Sequence, residues 1–210
     1  GQMVVVHITD HPEPWRQPLA EVVEVLGDHL AAGMATDVAI RANDIPLEWP
    51  EVVDQEIAGL AAEVPESSKQ GRVDLRDTPL VTIDGADARD FDDAISLTRG
   101  EHDHWTLGVH IADVAAFVPP RSPLDVEARA RGTSVYLPDR VIPMLPEILS
   151  NGICSLQPDQ PRFAKSAYIT YDEQGQVLSR RFANSLIRSS ARLTYIQADR
   201  ILKGHTKDTA

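Results

Sequence analysis

Between Leu80 and Leu97 the chain reads LVTIDGADARDFDDAISL, two short apolar runs enclosing a loop with five aspartates: Asp84, Asp87, Asp90, Asp92 and Asp93. Leu80 to Ile83 are β-prone and mostly apolar, so they predict a buried strand ending at Asp84, and Ala94 to Leu97 predict the strand that leaves the loop. The carboxylates are thereby expected at a strand end, near a core. Like charges this close raise one another's pKa values and oppose folding unless a cation or arginines offset them. Only Arg89 lies inside the cluster. All five are Asp, and short carboxylates on a tight loop suit a small hard divalent ion such as Mg²⁺, which keeps part of its water shell. In extended backbone Asp90 and Asp92 face one way and Asp93 the other. Two facings suit either two metals or one metal with a general base. An EF-hand fits poorly, because its loop needs ligands at alternate positions, a central Gly and a closing Glu. The competing reading is a solvated acidic surface loop, since charge runs usually face water.

The rest of the chain sets bounds on that site. A length of 210 residues allows one sizeable core, or a catalytic core piece with a small accessory segment, and the second is expected. With 42% hydrophobic and 5% aromatic residues the composition is that of a globular chain. No apolar run approaches the length of a bilayer span, and no signal peptide opens the sequence. The opening GQMVVV begins abruptly inside an apparent strand and reads as a boundary within a longer protein. The lone Cys154 has no internal disulfide partner and is expected as a buried packing thiol, with a cytoplasmic compartment as the default. The net charge of −12 sits awkwardly with nucleic-acid binding, which draws on a basic surface. Metals at the Asp cluster would offset part of it, and basic residues elsewhere in a longer protein the rest.

Taken in order, Met3–Ile8, Leu19–Leu26 and Thr36–Arg41 read as strands separated by turn signals, as in part of a small β-barrel. Strand aromatics for base stacking are missing there, so no independent RNA binding is expected. Residues 50–64 predict a helix with Pro50 in its first turn and Pro65 as its stop. The polar stretch 66–77 reads as a connection into the core. Trp105–Asp113 alternates, with Leu107, Val109 and Ile111 on one face and Gly108, His110 and Ala112 on the other, as in a core strand. His110 and Asp113 are open to a ligand or proton-relay reading, against a structural one. Ser122-Pro123 starts a helix that Gly132 closes. Pro138, Pro143 and Pro146 then impose a rigid loop that presents Tyr136 and Arg140. Residues 164–172 and 176–187 predict a hairpin, residues 193–203 a final helix, and GHTKDTA a frayed end.

TIDGADARDFDDAISL, followed by VHIADVAAFV at 109–118 and GTSVYLPDRVIPMLPEILSNGICSL at 132–156, closely resembles the catalytic domain of the ribonuclease II and ribonuclease R family of exoribonucleases. The likeness runs from the N-terminus to about residue 202. It implies an α+β fold: a strand-rich RNB-type catalytic core with packed helices, preceded by a partial OB-like β-barrel. In that reading residues 1–48 are the tail of a cold-shock domain, 49–79 a helix and linker, and 80–210 the N-terminal part of the RNB domain. The resemblance further implies hydrolysis of RNA from its 3′ end, with release of nucleoside 5′-monophosphates and Mg²⁺, or Mn²⁺, as cofactor. The family's four aspartate positions fall on Asp84, Asp90, Asp92 and Asp93. Asp84 and Asp93 match the principal metal ligands, Asp90 an additional one, and Asp92 the residue most directly tied to catalysis; Asp87 lies outside the pattern. Tyr136 matches a tyrosine that stacks on the 3′-terminal nucleotides. The implied partners are the 3′ end of single-stranded RNA, the remainder of the catalytic domain and a C-terminal RNA-binding domain, and residues 1–210 alone are expected to be inactive. The alternative is a catalytically silent RNA-binding or cation-binding module with the same fold.

Overall fold

The structure is a computed structural model that describes residues 1–61 and 63–205, the side chain of Ser67 excepted. Its elements are β1 (Gln2–Asp10), β2 (Leu19–Asp28), α1 (Met34–Ala42), α2 (Glu51–Ile57), β3 (Val73–Leu75), β4 (Val81–Asp84), β5 (Asp93–Arg99), β6 (Trp105–Ala112), α3 (Pro123–Arg131), β7 (Val135–Tyr136), β8 (Val141–Ile142), β9 (Pro161–Tyr171), β10 (Val177–Arg188), β11 (Ala191–Thr194) and α4 (Tyr195–Leu202). They fall into two units: residues 1–50 with 131–144, and residues 51–130 with 145–210.

In the first unit β1 and β2 form the antiparallel ribbon that their alternation predicts, with register shifts that mark bulges. The third expected strand, Thr36–Arg41, is instead the helix α1. The V-A-I run mimics strand alternation, but Met34 and Ile40 are the positions that bury, and Ala35, Ala39 and Ala42 favour helix. Asp37 in the first turn and Arg41 in the last suit the helix dipole. Gly33, at φ 84°, turns the chain into the helix. Arg41 also bonds Glu24 of β2 at 2.6 Å, which holds the Glu24 carboxyl below its ordinary range. The proline-rich loop is not wholly irregular: β7 and β8 make a two-residue hairpin closed by a bond from the Leu137 N–H to the Arg140 carbonyl.

The second unit is built on a seven-stranded mixed sheet in the order β11-β4-β5-β6-β9-β10-β3, with β11–β4 and β10–β3 parallel and the other pairs antiparallel. The predicted β9–β10 hairpin is present, and its turn is held by Asp172 Oδ1, which accepts from the Gln174 and Gln176 amides at 2.9 and 2.7 Å. β3 lies in what reads as a polar connection. It becomes a strand because Ser185–Ile187 of β10 offer a parallel edge to Val73–Leu75. The helix expected over 50–64 is only α2, which ends at Ile57 just before the helix-weakening Gly59, although Val53 is buried as its stripe requires. α3 starts as predicted: the Asp125 amide donates to Ser122 Oγ at 3.3 Å, and Pro123 takes the first helical position. A π-helical turn covers Ile148–Ile153. The last helix starts two residues later than expected, because β11 takes residues 191–194 and Thr194 caps α4 in a reciprocal box with Gln197. Of the GHTKDTA end, residues 206–210 lie outside the described residues.

The two faces of β6 divide differently from the apolar count. Gly108, His110 and Ala112 are buried, whereas Ile111 is 45% exposed and Ile95 and Leu97 of β5 share its open side. His110 is wholly buried between two hydroxyls, with Nε2 2.9 Å from Ser96 Oγ and Nδ1 2.7 Å from Ser166 Oγ. Burial pushes its imidazole down to about 4, so it is neutral at physiological pH and donates to one serine while accepting from the other. Gly108 is required beside it: a Cβ there would lie 2.3 Å from Ser96 Oγ and 2.8 Å from His110 Nε2. The structural reading of His110 is the one its surroundings support.

Candidate active site: the aspartate loop

β4 ends on Asp84 and β5 begins on Asp93, so residues 85–92 form the loop that joins the second and third strands of the sheet, next to the edge strand β11. The strand positions on both sides are those the sequence predicts. Between them Phe91 turns inward and is 3% exposed, while its neighbour Asp92 faces water. Phe91 is the anchor that alternation places opposite Asp90 and Asp92, and DFDD carries that signal in the sequence.

The loop backbone is fastened by elements far away in the chain. The Phe91 N–H donates to Ser155 Oγ at 3.1 Å, the Ser155 hydroxyl donates to the Arg89 carbonyl at 2.8 Å, and the Leu156 N–H donates to the Phe91 carbonyl at 2.9 Å. Ser155 is itself held: Arg162, buried, donates from Nε to its carbonyl at 2.8 Å. The Ala112 N–H at the end of β6 donates to the Asp92 carbonyl at 2.9 Å. On β11, Arg192 donates from Nη2 to the Gly85 and Ala86 carbonyls and lies 4.9 Å from the Phe91 ring centroid. Ser155 and Arg192 have no local signature in the sequence, because each meets the loop from more than sixty residues away.

The carboxylates feel one another. Asp84 is raised above the ordinary carboxylate range by burial, then by the charges of Asp93 and Asp90, with Arg192 acting in the opposite direction. Asp92 is raised by burial and by Asp90, Asp84 and Asp93. Asp92 keeps open surface, but the protein packed around Phe91 removes water from its inner side. The structure therefore brings Asp84, Asp90, Asp92 and Asp93 into electrostatic range of each other. Among the described residues, however, no group of three or more His, Cys, Asp or Glu side chains is drawn together closely enough to hold a metal ion. The donor set still fits a hard cation by its chemistry: all ligating atoms would be carboxylate oxygens whose mutual repulsion a divalent ion relieves.

The remaining sequence candidates fall elsewhere. Tyr136 is in β7 of the other unit and is 68% exposed, which excludes a core role. Arg140 is ion-paired with Asp139 at 2.7 Å and Asp37 at 3.0 Å. Asp113 is buried in an ion pair with Arg72 at 2.8 Å, a structural role that sequence reasoning left open. Cys154 is buried as expected, and burial pushes its thiol up to about 12, which makes it inert as a nucleophile at neutral pH. No helix among the described residues is long and apolar enough to cross a membrane.

The chain belongs to the RNB domain family, whose model matches residues 72–210, and a cold shock domain model matches residues 1–50. The chain is 51% identical over 204 residues to Ribonuclease R of Escherichia coli, covering 97% of this chain and 25% of that protein. Among solved structures it matches Mycoplasma genitalium RNase R in complex with double-stranded RNA, with a TM-score of 0.90 and 32% identity over 98% of this chain and 36% of that one. Yeast Ssd1, a pseudonuclease, shares the fold with a TM-score of 0.79 at 22% identity, covering 100% of this chain and 26% of that one. The chain thus spans about a quarter of the length of the curated relatives it matches.

Proposed function

We propose that the protein acts as a 3′-to-5′ hydrolytic exoribonuclease that needs Mg²⁺, or Mn²⁺ in its place, and releases nucleoside 5′-monophosphates from single-stranded RNA. The observation that carries this reading is the set of four aspartates on one pinned loop, in a chain of the RNB family. Asp84, Asp90 and Asp93 are assigned as metal ligands, and Asp92 as the carboxylate most directly engaged in hydrolysis. When bound there, Mg²⁺ supplies a more acidic water and polarises the phosphodiester. Phe91 and its hydrogen bonds fix the backbone between Asp90 and Asp92, and the carboxylates would gather on the ion when it binds. Tyr136 contributes an exposed ring for stacking on a base.

The test uses RNA oligomers labelled at either end. With Mg²⁺ the full-length protein should release labelled mononucleotide at once from a 3′-labelled strand and give a descending ladder from a 5′-labelled one; without divalent ion neither should appear. A 5′-first release, or an unchanged rate in EDTA, would sink the proposal. The second reading is a silent RNA-binding or cation-binding module with the same fold. It expects RNA retention or cation-dependent stabilisation with no ladder.

A separate outcome concerns Tyr136. Base stacking on an aromatic ring is worth about 1 to 3 kcal/mol by alanine substitution, so Tyr136→Ala should weaken binding of a short RNA by roughly 5- to 150-fold. Because the ring is exposed, the melting temperature should hold. Loss of stability with unchanged RNA affinity would make Tyr136 a structural residue instead.

A further inference from the structure

Resting on the metal-site reading above, we infer that Arg192 is a positioning residue for the aspartate loop: it ties the loop's entry to its exit and so sets where the carboxylates stand. β11 pairs with β4 in parallel, and Arg192 lies opposite Thr82, two residues before Asp84. From there Nη2 reaches past the strand end to the carbonyls of Gly85, 3.1 Å away, and Ala86. The same guanidinium sits 4.9 Å from the centroid of Phe91, the buried residue between Asp90 and Asp92. One side chain therefore contacts the backbone just after Asp84 and the ring just before Asp92. That span is what fixes the separation of the two ends of a loop.

The chemistry calls for arginine. A planar guanidinium can donate along its edge to two carbonyls while its face lies over an aromatic ring, and an ammonium offers one point of charge with no plane. Lysine at this position would keep the charge and lose the geometry. The neighbouring clamp at Ser155 acts on Arg89 and Phe91 and leaves Gly85 and Ala86 untouched, so it cannot stand in for Arg192 at the loop's entry.

The experiment compares the full-length wild type, Arg192→Lys, Arg192→Met and, as a site control, Asp84→Asn. Two readouts are used: Mn²⁺ affinity by electron paramagnetic resonance, and hydrogen exchange of the amides from residue 85 to residue 92. Wild type should bind Mn²⁺ and Asp84→Asn should not. Arg192→Lys should weaken Mn²⁺ by about 10- to 100-fold, the usual effect of removing an outer residue that orients metal ligands. Its loop amides should exchange faster while those of β9 and β10 keep their protection. Wild-type affinity and wild-type loop exchange in Arg192→Lys would overturn the inference. Lost protection throughout the sheet in both Arg192 variants would also overturn it, by making the residue a general stabiliser. If the wild type shows no Mn²⁺ binding that depends on Asp84, the metal-site reading fails and the inference falls with it, a result distinguishable from the first because there the wild type binds.

Discussion

Asp92→Asn in the full-length protein should cut the release of nucleotides from RNA by at least about 10²-fold, the lower end of what a positioned acid or base contributes to rate, while RNA is still bound. The carboxamide matches the carboxylate in size, and the backbone on either side is pinned by the bonds at Phe91 and by the Ala112 N–H on the Asp92 carbonyl. The substitution therefore removes a charge without releasing the loop. RNA affinity should persist, because phosphate contacts that fix the register of a nucleic acid are spread over a surface. Stability should hold or rise in metal-free buffer. Burial and neighbouring carboxylates raise Asp84 and Asp92, so the folded state holds their protons more tightly than the unfolded one, and their repulsion is a destabilising term at neutral pH that is relieved as the pH falls. Deleting one charge removes part of that term. Turnover of end-labelled RNA, filter binding and a thermal melt together check the three expectations; near-normal turnover would take Asp92 out of the catalytic set.

What could be read from the sequence was what is local. The strand before Asp84, the strand after Asp93, the β9–β10 hairpin and the Ser122-Pro123 helix start all depend on neighbours within about ten residues, and each stands where expected. The inward turn of Phe91 follows the same alternation. The residues that hold the site follow no such rule. Ser155 and Arg192 are ordinary in their own surroundings, one two residues past a π-helical turn and one in a short strand, and only the tertiary fold brings them to the loop. β3 was hidden for the same reason, since three residues within a charged stretch become a strand only when another strand lies beside them. In α1 the local signal itself misled, because alanine-rich helix and alternating strand share a pattern over six residues. In β6 the alternation stands as expected, and the face that buries is the one carrying His110, because Ser96 and Ser166 satisfy its polar groups.

Asp113→Ala should be the most damaging single change to the fold outside the apolar core. Asp113 is 2% exposed at the end of β6, where its carboxylate meets Arg72 at 2.8 Å and Lys165 at 3.5 Å and its N–H donates to the Phe163 carbonyl at 3.0 Å. Arg72 is nearly as enclosed, 3.9 Å from the centroid of Phe163, whose other neighbour is the stacked ring of Phe117 at 5.6 Å. Arg72 directly precedes β3, so the pair fastens the last strand of the sheet. Removing the carboxylate strands a guanidinium in a site with little water, at an expected cost of about 3 to 5 kcal/mol. That is a large share of the roughly 5 to 15 kcal/mol that holds a domain together. Replacing both partners tests the cause. Arg72→Met with Asp113→Leu presents apolar groups to Phe163 and leaves no buried charge, so it should recover most of the loss, as exchanges of whole buried pairs commonly do. The double-mutant cycle, read by urea unfolding, isolates the coupling between the two. If Asp113→Ala costs under about 1 kcal/mol, the range of solvent-screened pairs, the ion pair is not what closes this edge of the sheet, and the ring stack of Phe117 on Phe163 becomes the element that does.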